Sequence, residues 1–194
     1  MQKKYKKNLP VLREIDKQLH KACRALSPLK MKEAILLGAD VNAPDCEQRE
    51  APIDMVVNSV IIEDREHYFD NEKKQERVRE AIDLLLKHGA SPDGYTVDDT
   101  PLYWFAWLYF DPYIVRRLCK AGATLNTLRE GGDTLYDLTV FESIFLETGC
   151  KECPRQEECL QKNEKIQNTL RYFGAKSSME LKEEAEQRQG SDSV

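Results

Sequence analysis

"LLGADVNAPD", residues 36–45, closes a leucine-rich run at Gly38 and turns into a polar link that contains Pro44. Gly-Ala after an amphipathic stretch is the composition of a left-handed helix C-cap, where glycine alone escapes the steric penalty of a Cβ. The arrangement returns as "LLLKHGASPDG" around Gly89, "LCKAGATLNT" around Gly122 and "LRYFGAKSS" around Gly174. The four glycines are separated by 51, 33 and 52 residues, that is one interval of 33 and two that are longer by 18 and 19. Self-similarity at such a period is the signature of a solenoid, whose units bury their apolar faces only against one another.

A second landmark follows each cap but the last: "APID" at Ala51, "TPLY" at Thr100 and "TLYD" at Thr134. Thr-Pro is good helix-entry chemistry, because proline at the first helical position gives up no needed N–H and fixes φ. Helix pairs are predicted over 16–26 and 28–37, broken at Ser27-Pro28, and over 101–110 and 112–121, broken at Asp111-Pro112. The second helices carry apolar stripes such as Val78, Ala81, Ile82 and Leu85, or Ile114, Val115 and Leu118.

These residues resemble the ankyrin repeat, marked by a T-P-L-H helix start and a G-A-D-V-N turn. "GADVNAPD" at 38–45 follows that pattern closely, "GATLNTLREGGDT" at 122–134 keeps its spacing, and "QLHKA" at 18–22 is similar to a first repeat whose Thr-Pro is lost. The resemblance implies an all-α ankyrin-repeat solenoid of about four helix–turn–helix repeats (12–44, 45–94, 95–127, 128–178) with β-turn fingers. A basic tail (1–11) precedes it, and a helical extension fading into a disordered tail (179–194) follows. Repeats two and four carry extra residues, "EDREHYFDNEKKQERV" and a segment around "TGCKECPRQEECLQK". The first, free of Gly and Pro, is expected to extend a helix.

Composition excludes several classes. A net charge of −5 argues against phosphate-driven nucleic-acid binding and against a general membrane-surface binder. No apolar run approaches the ~20 residues that cross a bilayer. The lysine-rich start has no apolar region behind it, so it does not read as a signal peptide. A cytoplasmic monomer without cofactors is expected.

Little here reads as catalytic. His20 matches the histidine of T-P-L-H, whose ring, the resemblance implies, bonds backbone in the neighbouring turn. His88 sits beside a cap and His67 in a charged insertion. Asp98 and Asp99 fall in a predicted finger, where aspartate bonds its own turn, and Gly131-Gly132 reads as another finger turn. Cys23 and Cys119 read as small buried thiols. Cys150, Cys153 and Cys159 form C-x2-C-x5-C, half of a zinc knuckle that lacks a nearby fourth ligand. A zinc-binding or thiol redox-sensing site there is the alternative function.

The remaining signal is aromatic. Residues 95–113 hold eight of the sixteen aromatics, including both tryptophans. As a helix, the segment puts Leu102, Phe105, Ala106 and Tyr109 on one face and Trp104, Trp107 and Leu108 on the other. Aligned on helix starts, one row reads Lys21, Met55, Trp104, Leu138 and a second Arg24, Asn58, Trp107, Phe141. By the resemblance these rows line a concave binding face, joined by Leu108 and the finger residues Tyr95 and Asp99. The expected partner is a protein offering an apolar segment with some acidic groups, since tryptophan among aliphatics is hot-spot composition. The competing reading covers the two tryptophans with the insertions of repeats two and four.

Overall fold

The structure, a computed structural model, describes residues 12–45, 49–61, 65–95, 100–149 and 155–191. These residues are mainly helical, contain no strand, and include no helix long and apolar enough to cross a membrane. The chain divides into two compact units, residues 1–96 and 97–194, close to the boundary expected between the second and third repeats.

The first unit contains α1 (Glu14–Arg24), α2 (Pro28–Leu36), α3 (Pro52–Ile61), α4 (Arg65–Asp70) and α5 (Glu72–Lys87). α1 packs on α2 and α3, and α5 packs on α2, α3 and α4. Leu19, Cys23, Met31, Val56, Val60, Val78, Ile82 and Leu85 are fully buried. Cutting such a side chain to alanine costs about 2–5 kcal/mol. α3 lies between two helical neighbours, and every residue from Pro52 to Val57 is buried.

The segment expected as the insertion of the second repeat does not continue one helix. Asn71 interrupts it: its side chain caps α5 by accepting the Lys74 N–H at 2.9 Å. Asparagine at that position wins because it satisfies a donor that the first turn leaves unpaired. Gln75 then donates to the carbonyls of Tyr68 and Phe69 at 2.9 and 3.0 Å, closing the end of α4, and Tyr68 is buried.

The second unit contains α6 (Pro101–Tyr103), a π-helical turn (Trp104–Leu108), α7 (Pro112–Lys120), α8 (Leu135–Thr148), α9 (Gln156–Tyr172) and α10 (Ser178–Ser191). α9 packs on α7 and α8, the π turn on α6, α7, α8 and α9. Thr100 caps α6, and Thr134 with Asp137 forms a reciprocal capping box at the start of α8. Buried Asn163 and half-buried Gln167 both donate to the Thr139 carbonyl and Ser143 hydroxyl, at 2.7–2.9 Å, tying α9 to α8. The tail expected to fray is helical as far as Ser191. Ser177 and Glu180 form a second capping box, and Glu180 also pairs with Arg171 at 2.7 Å. These bonds hold the Glu180 carboxyl down to about 2.

All four sequence-predicted caps close the same way. Gly38, Gly89, Gly122 and Gly174 have φ between 86° and 91°. The next alanine's N–H returns to a carbonyl five residues back (Ala39 to Ala34, Ala90 to Leu85, Ala123 to Leu118, Ala175 to Leu170) at 2.9–3.1 Å. Within each unit one asparagine joins two caps. Asn42 donates to the Gly89 carbonyl and accepts from Ser91 N–H; Asn126 does the same to Gly174 and Lys176, all at 2.7–3.1 Å. The inter-helix breaks match as well: Leu26 and Phe110 take left-handed φ of 45° and 41° before Ser27-Pro28 and Asp111-Pro112. Asp111 caps α7 through its side chain, whereas Ser27 occupies the cap position without a side-chain bond.

Candidate interaction surface

The second unit carries the aromatic cluster. Leu102, Phe105, Ala106 and Tyr109 are buried as their spacing predicts. Trp104, Trp107 and Leu108 are half-buried. The helix is not a regular α-helix here, because Tyr109 N–H bonds the Trp104 carbonyl five residues back at 3.0 Å. A residue count explains it. Lys17, which aligns with Thr100 when Lys21 is set opposite Trp104, lies ten positions before Ser27, whereas Thr100 lies eleven before Asp111. One extra residue in an otherwise equivalent helix is absorbed as a π turn, a distortion that recurs at functional sites.

The turn rephases the predicted row. Counted from the helix start, Trp107 corresponds to Arg24; counted from the break, Leu108 does. Around it, Trp104 meets the Tyr103 ring edge-on at 5.5 Å and Trp107 lies at 5.3 Å with a 30° tilt. The Arg129 guanidinium sits 3.9 Å from the same ring, within cation–π range. Tyr103, which the sequence reading left unassigned, therefore organises both tryptophans.

α8 adds a second exposed apolar set. Leu138 is half-buried and Phe141 is 67% exposed, as a surface role for both requires. Ile144 at 53% and Phe145 at 50% extend it one turn further, with Val140 alongside. Sequence reasoning stopped at Phe141. The i, i+3, i+4 spacing of Phe141, Ile144 and Phe145 was the available signal, hidden by a helix that is apolar on most sides.

The first unit contributes less than expected. Met55 is fully buried, so it belongs to the core and offers no contact. The row placed it outward, but α3 packs between α1 and α5 and has no free face there. Arg24 is not an open cation: it pairs with Asp45 at 2.7 Å and lies 3.7 Å from Glu50. Asn58 donates to Glu50 at 2.8 Å, so its amide is engaged within the fold. Tyr95 is 46% exposed. Its N–H donates to Asp54 at 2.8 Å, which leaves the ring available. Asp99 lies outside the described residues, as do Asp98, Cys46, Cys150 and Cys153.

The scattered titratable groups have structural surroundings. His20 Nε2–H donates to the Ala43 carbonyl at 2.8 Å, and burial holds the ring's pKa below its ordinary value. Burial pushes the Cys23 and Cys119 thiols up to about 12, which keeps them protonated and poorly nucleophilic. Cys159 is buried on α9. Asp54 accepts from Ala51 and Tyr95, yet burial raises its pKa against those bonds.

No family model matches the chain, and no curated protein matches it.

Proposed function

We propose that this chain is an ankyrin-type repeat solenoid that binds a protein partner and catalyses no reaction. Four glycine caps with the same φ and the same hydrogen-bond closure, the paired Asn42 and Asn126 bridges and the matching Leu26 and Phe110 breaks support the repeat reading. The observation that carries the binding reading is the exposure of Phe141, Ile144 and Phe145 on α8, in the unit that also holds the Trp104–Tyr103–Trp107 cluster. Three large apolar side chains, each half or more exposed and clustered within five residues of one helix, make the kind of patch that marks an interaction site. The partner offers an apolar segment to this surface. Its acidic groups find no open cation at Arg24, which Asp45 and Glu50 already occupy.

Selection of binders from a random peptide library on the full chain tests this. Apolar peptides are expected to be enriched on the wild type and to lose at least tenfold in affinity on a Phe141→Ser, Ile144→Ser double variant. Equal enrichment and affinity on both proteins would overturn the assignment.

A further inference from the structure

α2 turns a leucine stripe to solvent. Leu29 and Leu36 are 70% and 72% exposed, and Leu37, at the helix C-cap, is 72% exposed. Leu29 and Leu36 stand seven residues apart, about two helical turns, on the face opposite buried Met31 and Ala34. Lys32 and Glu33 lie between the two leucines, one on each edge of the stripe. Both are exposed, and neither side chain has a partner among the described residues.

A stripe with a cation on one edge and an anion on the other, at nearly the same height, is complementary to itself. A second α2 laid alongside in parallel, about a two-fold axis running along the helices, brings each leucine against its own copy. Lys32 of each chain then faces Glu33 of the other, about 1.5 Å apart in height. Antiparallel pairing instead sets lysine against lysine and glutamate against glutamate, so charge selects the parallel form. The resulting contact is isologous and closes at two chains. Net charge agrees with it. The first unit holds 17 basic and 17 acidic residues and the second 12 and 17, so the whole net charge of −5 belongs to the second unit. Two first units therefore bring no net repulsion to the contact.

We propose that α2 is a homodimer interface, in which two copies of the chain pair in parallel through Leu29 and Leu36. Two turns of helix make a small contact, so the dimer is transient. The monomer expected from the sequence is then the dilute end of an equilibrium. On the reading proposed above, a dimer carries two α8 surfaces and grips a repeated partner segment twice. The pairing itself does not depend on that reading.

Sedimentation equilibrium of the full chain at up to about 1 mM tests this. A monomer–dimer equilibrium with a Kd between about 1 µM and 1 mM is expected. Leu29→Gln with Leu36→Gln should weaken it at least tenfold, and an unchanged melting curve by circular dichroism verifies that this variant folds. Lys32→Glu and Glu33→Lys should each weaken it at least twofold at low salt, because like charges then face each other across the axis. Mixing those two single variants should recover association at least as tight as that of the wild type, since each chain brings the charges the other lacks. Monomer alone at the highest concentration, or association unaffected by the leucine pair, would overturn the interface. Single charge variants that associate as well as the wild type would overturn the parallel arrangement. Association lost in Phe141→Ser, Ile144→Ser but kept in the leucine pair would move the contact to α8 and overturn the proposal.

Discussion

Gly94 is the described glycine whose added Cβ would meet the nearest neighbour. Its φ is +68°, and a Cβ built on it would lie 1.9 Å from the Asp54 carboxylate oxygen. That carboxylate is buried and accepts from Ala51 N–H and Tyr95 N–H at 2.9 and 2.8 Å, joining the start of α3 to the link that follows α5. Gly94→Ala therefore carries two costs. The left-handed φ costs about 1–2 kcal/mol. Displacing the carboxylate forfeits two bonds to a charged acceptor, at about 1.5–3 kcal/mol each. The sum is at least about 4 kcal/mol, a large part of the ~5–15 kcal/mol that holds a typical domain together. Gly38→Ala is the internal reference: its φ is +90°, but nothing lies within 4 Å of the added Cβ. It should cost only the ~1–2 kcal/mol of the backbone. Urea unfolding followed by circular dichroism measures both. In an Asp54→Ala background the clash is gone, and Gly94→Ala should again cost about 1–2 kcal/mol, which makes the cycle strongly non-additive. Equal costs for Gly94→Ala and Gly38→Ala, or an additive cycle, would refute this reasoning.

Other consequences follow from the same geometry. His20 is neutral in the fold with a lowered pKa, so its contribution is present above the unfolded value near 6.5 and lost as pH falls below it. The urea midpoint should drop between about pH 7.5 and pH 5.5 in the wild type and stay flatter in His20→Gln over the same range. Asn42→Ala and Asn126→Ala each remove two bonds of the same kind, so each should cost about 1–3 kcal/mol in urea unfolding. A large cost at one position with none at the other would contradict the equivalence of the two bridges.

Much of this was legible, and the exceptions have physical reasons. The glycine caps could be read because a left-handed turn leaves almost no alternative to glycine. Thr100-Pro101 and the break at Asp111-Pro112 were equally local signals. Met55 was misplaced because polar Asp54, Asn58 and Ser59 surround it on the α3 wheel and mark that face as outward, whereas packing against α1 and α5 buries it. The π turn hides for another reason: "WFAWL" at 104–108 has no polar residue to betray a change of period. Its trace is the eleven-residue count from Thr100 to Asp111 against ten from Lys17 to Ser27. The split at Asn71 and the capped start of α10 were written in plain cap chemistry, Asn before "EKKQ" and the S-x-x-E of Ser177 to Glu180, and were overlooked.

Trp104 and Trp107 are the only tryptophans of the chain, so tryptophan emission, excited selectively over that of the eight tyrosines, reports on the proposed surface alone. A library-selected apolar peptide titrated into the full chain should shift that emission to shorter wavelength as the half-buried indoles lose water. The Phe141→Ser, Ile144→Ser variant should keep its own spectrum and show no shift at the same peptide concentrations. Peptides that bind the wild type tightly without changing the tryptophan emission, and that bind the variant equally well, would place the interaction elsewhere on the molecule.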